Sequence, residues 1–189
     1  MSEEVKEISN RSSYLETEER FSLIIIGRLK GKVPNLRVIW AIAWVIIGIA
    51  VTSEAKRLGV NADARMVLFV FMAFWAYYLF RIVRAIRWNQ VGKEMLMMKE
   101  ESLYHKNSFG DFGRTREYHL ANVNPLKLRE KKDGWASLFE DSFWSIGIGA
   151  LELEIDGKIL SIGIRLDDTE AKKVMSVFNN ELKRRQKAL

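Results

Sequence analysis

The only imidazoles in the chain are His105 and His119, and there is no cysteine. They flank the segment Phe109–Gly113 (FGDFG), and a hairpin centred near Phe112 would set them opposite each other. Such a pair could ligate a metal or haem, or act as a pH switch. A metal site normally takes three or four ligands. Asp111 and Glu117 are close in sequence, but nothing in the pattern fixes their geometry. Two half-exposed strand residues account for the pair more simply, so no metal and no cofactor is expected. Nucleophile, phosphate-loop, dinucleotide-binding and zinc-hydrolase signatures are missing. The glycines at 147, 149, 157 and 163 fall in strand and turn contexts rather than before a helix. No catalytic residue is identified, and the chain reads as a non-enzyme.

Cationic side chains are the next chemistry available. Arg81, Arg84 and Arg87 recur every third residue at the end of an apolar run. With Lys30, Lys32 and Arg37 they could form a headgroup-level site for anionic lipid. Ordinary anchoring of a span by flanking cations gives the same pattern. Trp135, Leu138, Phe139, Phe143 and Trp144 crowd one short segment, with Ile146 beyond them. They could form a partner-docking surface or an interfacial foot. A loop folded over a sheet as part of its core is the simpler account. Lys127–Lys132 (KLREKK) suits a solvated strand end or turn.

Charge placement decides among partner classes. Residues 1–19 hold two Lys/Arg and six Asp/Glu, residues 20–87 eleven and two, and residues 88–189 seventeen and sixteen. The net charge of +6 therefore sits around the apolar runs and not on the C-terminal half. A nucleic-acid binder carries its surplus on the folded domain, whereas a membrane protein carries it where chain meets headgroup. Membrane lipids are thus the expected partners, together with a membrane protein or a second copy of the chain. Nucleic acid is not expected.

The elements that must position these groups begin with two uncharged runs. Val38–Thr52 (VIWAIAWVIIGIAVT) and Met66–Phe80 (MVLFVFMAFWAYYLF) lack the polar stripe of a soluble core helix. With flanking arginines reaching back to the interface, both approach the roughly 20 residues that a span requires. The expected hairpin covers 36–88, with spans at about 36–53 and 66–86. Lys/Arg outnumber on the two outer flanks what the connecting loop carries (Lys56, Arg57, Arg65). Positive-inside then puts both termini in the cytoplasm of an inner-membrane protein. Ala41, Trp44, Gly48 and Thr52 share one face of the first helix, and Phe69, Ala73, Ala76 and Phe80 share one of the second. These faces are expected to meet each other, or to dock on a partner subunit. Residues 1–35 are expected as a polar segment with an interfacial helix from about Glu16. A strand over Phe21–Leu29 that joins a later sheet is the other possibility.

Residues 89–189 change texture to short strands and turns. Met95–Lys99, Ser102–Ser108, Arg114–Val123 and Leu126–Glu130 read as strands. Gly149–Ile155 (GALELEI) alternates, and Asp156-Gly157 is a strong hairpin signal before the return over Lys158–Leu166. Asp167 and Glu170 have capping-box spacing ahead of an apolar stripe: Ala171, Val174, Met175, Phe178, Leu182. The stretch GALELEIDGKILSIGIRLDDTEAKKVMSVF, Gly149–Phe178, placed after a two-span hairpin, resembles the pleckstrin-homology-like (PH-like) domains of small bacterial membrane proteins. The aromatic insertion Gly134–Gly149 departs from that layout. The resemblance implies an α+β membrane protein: a transmembrane hairpin, then an antiparallel PH-like sheet or barrel closed by an amphipathic C-terminal helix. It further implies a binding or scaffolding module at the cytoplasmic membrane face, or alternatively an accessory subunit of a larger membrane complex.

Overall fold

The computed structural model describes residues 5–27, 36–57, 59, 61–130 and 145–188. Nine strands and three α-helices make a mixed α+β molecule among these residues. Strands β1 (Val5–Glu7), β2 (Ser12–Glu16) and β3 (Arg20–Ile26) come first. Helices α1 (Leu36–Arg57) and α2 (Ala62–Val91) follow. Strands β4 (Gly92–Lys99), β5 (Ser102–Phe109) and β6 (Phe112–His119) complete a six-stranded antiparallel meander in the order β1-β2-β3-β4-β5-β6. Strands β7 (Lys127–Leu128), β8 (Gly149–Ile155) and β9 (Lys158–Ile164) form a second sheet, and α3 (Asp168–Gln186) closes the fold.

The expected interfacial helix from Glu16 does not form. Arg20–Ile26 is a strand paired antiparallel with β4, from Arg20↔Lys99 to Ile26↔Lys93. Phe21, Leu23 and Ile25 point into the core, as do Leu96 and Met98 opposite. Isoleucines at the outward positions 24 and 26 hide this alternation in the sequence. The consequence is topological. The two apolar helices are an insertion between neighbouring strands, and both leave from the same end of one sheet.

That junction is closed by backbone contact. The Gly27 amide donates to the Gly92 carbonyl at 2.8 Å. Trp88, buried in the last turn of α2, fills the corner between them. A Cβ at Gly27 or at Gly92 would lie 2.4 Å from the Trp88 carbonyl oxygen. Its indole meets Phe109 edge-on at 5.2 Å. The sheet end, the helix end and the β5–β6 hairpin are therefore locked at one point.

The helices extend beyond the uncharged runs. At about 1.5 Å per residue, the 30 residues of α2 reach about 45 Å. Both helices are long and apolar enough to cross a membrane, and only 11% and 6% of their apolar windows are buried. They touch along a narrow seam. Trp44 Nε1 donates to the Trp75 carbonyl at 3.1 Å, and Trp75 Nε1 donates to the Trp44 carbonyl at 2.9 Å. Gly48 leaves room for the Trp75 ring, since a Cβ there would come within 2.3 Å of it. The expected α1 face is thus the contact face. The expected α2 face is not: Phe69, Ala73, Ala76 and Phe80 are exposed, and the partly covered row is Leu68, Met72, Trp75 and Leu79. Trp75 belongs to the covered row, and its large ring takes the space that Gly48 leaves.

Strands on the core side contribute Phe21, Leu23, Leu96, Leu103, Leu151, Leu153 and Ile162 to one cluster under α3. The α3 stripe Ala171, Val174, Phe178 and Leu182 is buried in it, and the Asp167–Glu170 capping box forms as expected. Asn179 clasps Leu126, accepting its N–H at 2.7 Å and donating to its carbonyl at 3.0 Å. Among the described residues the strands form two separate sheets and not a closed barrel. Asp156 and Gly157 take positive φ (50° and 72°), as the expected two-residue hairpin demands.

Candidate functional site

The expected histidine pair is set apart by register. The β5–β6 turn is Gly110-Asp111, so Phe109 faces Phe112, His105 faces Arg116, and His119 faces Ser102. Glycine at the first turn position, with φ 65°, sets a two-residue loop centred just before Phe112 and shifts every pair along the ladder. His105 is buried and its Nε2 lies 3.1 Å from Glu94 Oε1. Glu94 Oε2 accepts the Gly163 amide at 2.7 Å, so this fully buried carboxylate bridges the two sheets. Gly163 has φ 76°, which swings its N–H out of the β8–β9 ladder and toward Glu94. His119 is exposed and lies 3.6 Å from Glu101.

The same ladder builds a groove at the hairpin end of the sheet. Asn107 pairs with Arg114 and Phe109 with Phe112. Side chains alternate faces along a strand, so these four share the face toward which α2 runs. The last turns of α2 lie against β4 and β5. Ile82, Ala85 and Trp88 are its buried row there. The adjacent row turns Phe80, Val83, Arg84 and Arg87 to the hairpin. Between them is an open cavity of about 870 Å³, within the usual range of about 300–1,000 Å³ for small-molecule sites.

The lining divides by chemistry. Arg84, Arg87 and Arg114 supply three guanidiniums, and among the described residues no carboxylate lines the cavity. Among the described residues none of the three has an ion-pair partner. Glu94, on the same cross-strand row as Asn107, has both oxygens engaged elsewhere. Phe80, Val83, Phe109 and Phe112 supply the apolar part. Phe112 at the hairpin tip is 84% exposed and Phe80 on the helix is 65% exposed, so apolar surface faces solvent beside unmatched positive charge.

A second cavity, of about 800 Å³, lies between the N-terminal turns and the end of α3. It is of the opposite character. Glu16, Glu18, Glu100 and Glu101 share it with Arg184 and Arg185. Arg184 pairs with Glu16 at 2.8 Å and with Glu181 at 2.9 Å, so this arginine already has protein counter-charges.

Of the lipid-facing residues expected from sequence, Arg84 and Arg87 line the first groove. Arg81 does not. It donates to Tyr77 Oη at 3.2 Å and stacks over that ring, pointing away from the hairpin. Arg81 directly follows Phe80, about 100° further round the helix, and so lies off the row that Phe80, Val83, Arg84 and Arg87 form. Arg37 opens α1 and does not line the groove. Lys30 and Lys32 lie outside the described residues, as do Trp135, Leu138, Phe139, Phe143 and Trp144 of the expected docking surface. Arg114, Phe109 and Phe112 were not singled out from sequence. The FGDFG turn was legible, but nothing local shows that its tip folds beside the base of α2.

One exposed acid outside this groove has a perturbed titration. Glu117 on β6 accepts from Ser102 Oγ at 2.8 Å and from Tyr104 Oη at 3.0 Å. These bonds, the Ser102 one first, hold its carboxyl below the usual carboxylate range. No protein-family model matches the chain, and no characterised protein or solved structure shows significant similarity to it.

Proposed function

We propose that this chain is a non-enzymatic binding module anchored in the membrane by α1 and α2, with its two-sheet body held at the cytoplasmic face. One observation carries the proposal: the apolar sides of both helices are uncovered, and the helices emerge together from one end of the sheet. Ile39, Ile42, Ile46 and Ile49 on α1, and Val67, Phe69, Phe74 and Phe80 on α2, are all exposed. At about 1.5–3 kcal/mol for each large side chain removed from water, transfer to lipid stabilises the hairpin by on the order of 10 kcal/mol. The Lys/Arg excess on the outer flanks supports the orientation. Two antiparallel sheets closed by an amphipathic helix support the PH-like resemblance, which associates such a body with binding and scaffolding.

The test is alkaline carbonate extraction of cell membranes, followed by protease accessibility of a tag at each terminus. Retention in the pellet with both tags shielded from outside is expected. Release into the supernatant would end the anchoring proposal. A second reading, an accessory subunit of a larger membrane complex, is favoured by the exposed α2 row Phe69, Ala73, Ala76 and Phe80. Small residues between aromatics let another helix approach closely in lipid. Migration as a monomer on blue-native gels from mild detergent would count against it.

A further inference from the structure

We infer that the groove between α2 and the β5–β6 hairpin binds a single anionic glycerophospholipid, its phosphate on Arg84, Arg87 and Arg114 and its acyl chain along Phe80, Val83 and Phe112. The inference rests on the anchoring reading above and goes further, since it names a site and a ligand class.

Three features select this occupant. First, the guanidiniums converge from two elements and lack a protein counter-charge among the described residues. Arginine keeps its charge and presents a planar fork that matches phosphate oxygens. Second, the apolar lining is continuous with the exposed surface of α2, because Phe80 ends the uncharged run. Arg84 and Arg87 follow one and two turns later, or about 6 and 10 Å along the axis, where a span meets headgroups. Third, the cavity of about 870 Å³ is far larger than a phosphate ion needs, and half of its lining would gain nothing from one. A ligand with a charged head and an apolar tail satisfies both halves.

Arg114 permits a test that leaves the anchor alone, because it belongs to an exposed edge strand and not to a span flank. The full chain, purified in mild detergent, is placed in nanodiscs of equimolar phosphatidylcholine and phosphatidylglycerol. Lipid that remains bound after extraction from the disc is read by native mass spectrometry. Wild type is expected to retain one phosphatidylglycerol. Arg114→Glu is expected to retain about tenfold less, as for the loss of one charge-assisted contact. Arg116→Glu makes the same charge change two residues along, outside the groove, and is expected to match wild type. If Arg114→Glu fails to fold, Arg114→Gln set against Arg116→Gln gives the same comparison. Equal retention by the two glutamate variants, whether high or low, would overturn the site, because only bulk charge would then matter. Retention of phosphatidylcholine as readily as phosphatidylglycerol would overturn it too. So would displacement of the lipid by inorganic phosphate alone, since the apolar half would then be idle. Carbonate extraction separates the two levels: a chain that stays in the membrane pellet but fails the lipid comparison loses this site and keeps its anchor.

Discussion

Glu94 is fully buried, with one oxygen on the Gly163 amide and the other on His105, so one side chain connects β4, β5 and the strained end of β9. Removing it orphans a backbone donor that no ladder bond can recover, because Gly163 at φ 76° already faces away from its neighbours. An unsatisfied buried donor costs on the order of 1–3 kcal/mol, and the lost side-chain volume adds to this. Glu94→Ala is therefore expected to lower stability by roughly 2–4 kcal/mol, read as a drop in Tm in detergent. Glu94→Gln keeps the volume and one acceptor for Gly163, and the loss should be smaller. Equal losses would mean that neither the side-chain volume nor the single acceptor kept by glutamine supports this contact without the second carboxylate oxygen. Glu117 offers a cleaner electrostatic test, since it is exposed and its partners are known. Its folded-state pKa is depressed, so its stabilising bonds are intact above the ordinary carboxylate range and are lost as pH falls through the lowered value. Ser102→Ala should move that titration up toward the ordinary value, and Tyr104→Phe should move it in the same direction. An NMR titration of the Glu117 carboxyl that is unchanged in both variants would refute the assignment.

The junction of α2 with the sheet depends on two glycines that backbone angle does not require. Gly92 has φ −67°, which any residue adopts. What excludes a side chain there, and at Gly27, is the Trp88 carbonyl oxygen 2.4 Å from each would-be Cβ. A backbone atom cannot rotate away, so Gly27→Ala and Gly92→Ala should each cost about 1–3 kcal/mol, as overpacking does. The measurable sign is faster limited proteolysis between α2 and β4, with the hairpin still in the membrane fraction. Elements like these show which parts of the fold the sequence displays. The β8–β9 hairpin and the capped α3 were legible because each is fixed by neighbours in the chain: Asp156-Gly157 in one case, Asp167 with Glu170 in the other. Strand β3 was legible only as the alternative to an interfacial helix, because its partner lies beyond both helices and its outward isoleucines erase the period of two. The α2 contact row failed for a related reason. Small residues suggested one face, while the actual contact is a tryptophan fitted to a glycine on the other helix. Half of the groove was visible as the arginine row. The other half, Arg114 with Phe112, depends on a ladder register that one turn glycine decides.

At the scale of the whole molecule, the insertion topology makes a claim about which pieces can stand alone. A fragment of residues 89–189 would keep β4 but lose β3, its partner along seven residues. The inward side chains Leu96 and Met98 would lose Phe21, Leu23 and Ile25 beside them, and a bare central strand edge would be left open to aggregation. That fragment is expected to be insoluble. The opposite deletion should succeed. The Gly27 amide and Gly92 carbonyl are already hydrogen-bonded, so the ends of β3 and β4 lie as close as two strands of any hairpin. Replacing residues 28–91 with a two-residue Asn-Gly turn would join them directly. The result keeps the six-stranded sheet, the second sheet and α3, and it loses Trp88 together with half of the arginine groove. We expect a soluble monomer that unfolds cooperatively on heating, and that ignores phosphatidylglycerol vesicles because Arg114 remains without Arg84 and Arg87. If this molecule were unfolded, the sheet would depend on the hairpin for more than a tether. If it folded and still bound the vesicles as tightly as the full chain binds lipid, the recognising surface would lie elsewhere on the body, and the base of α2 would be an anchor only.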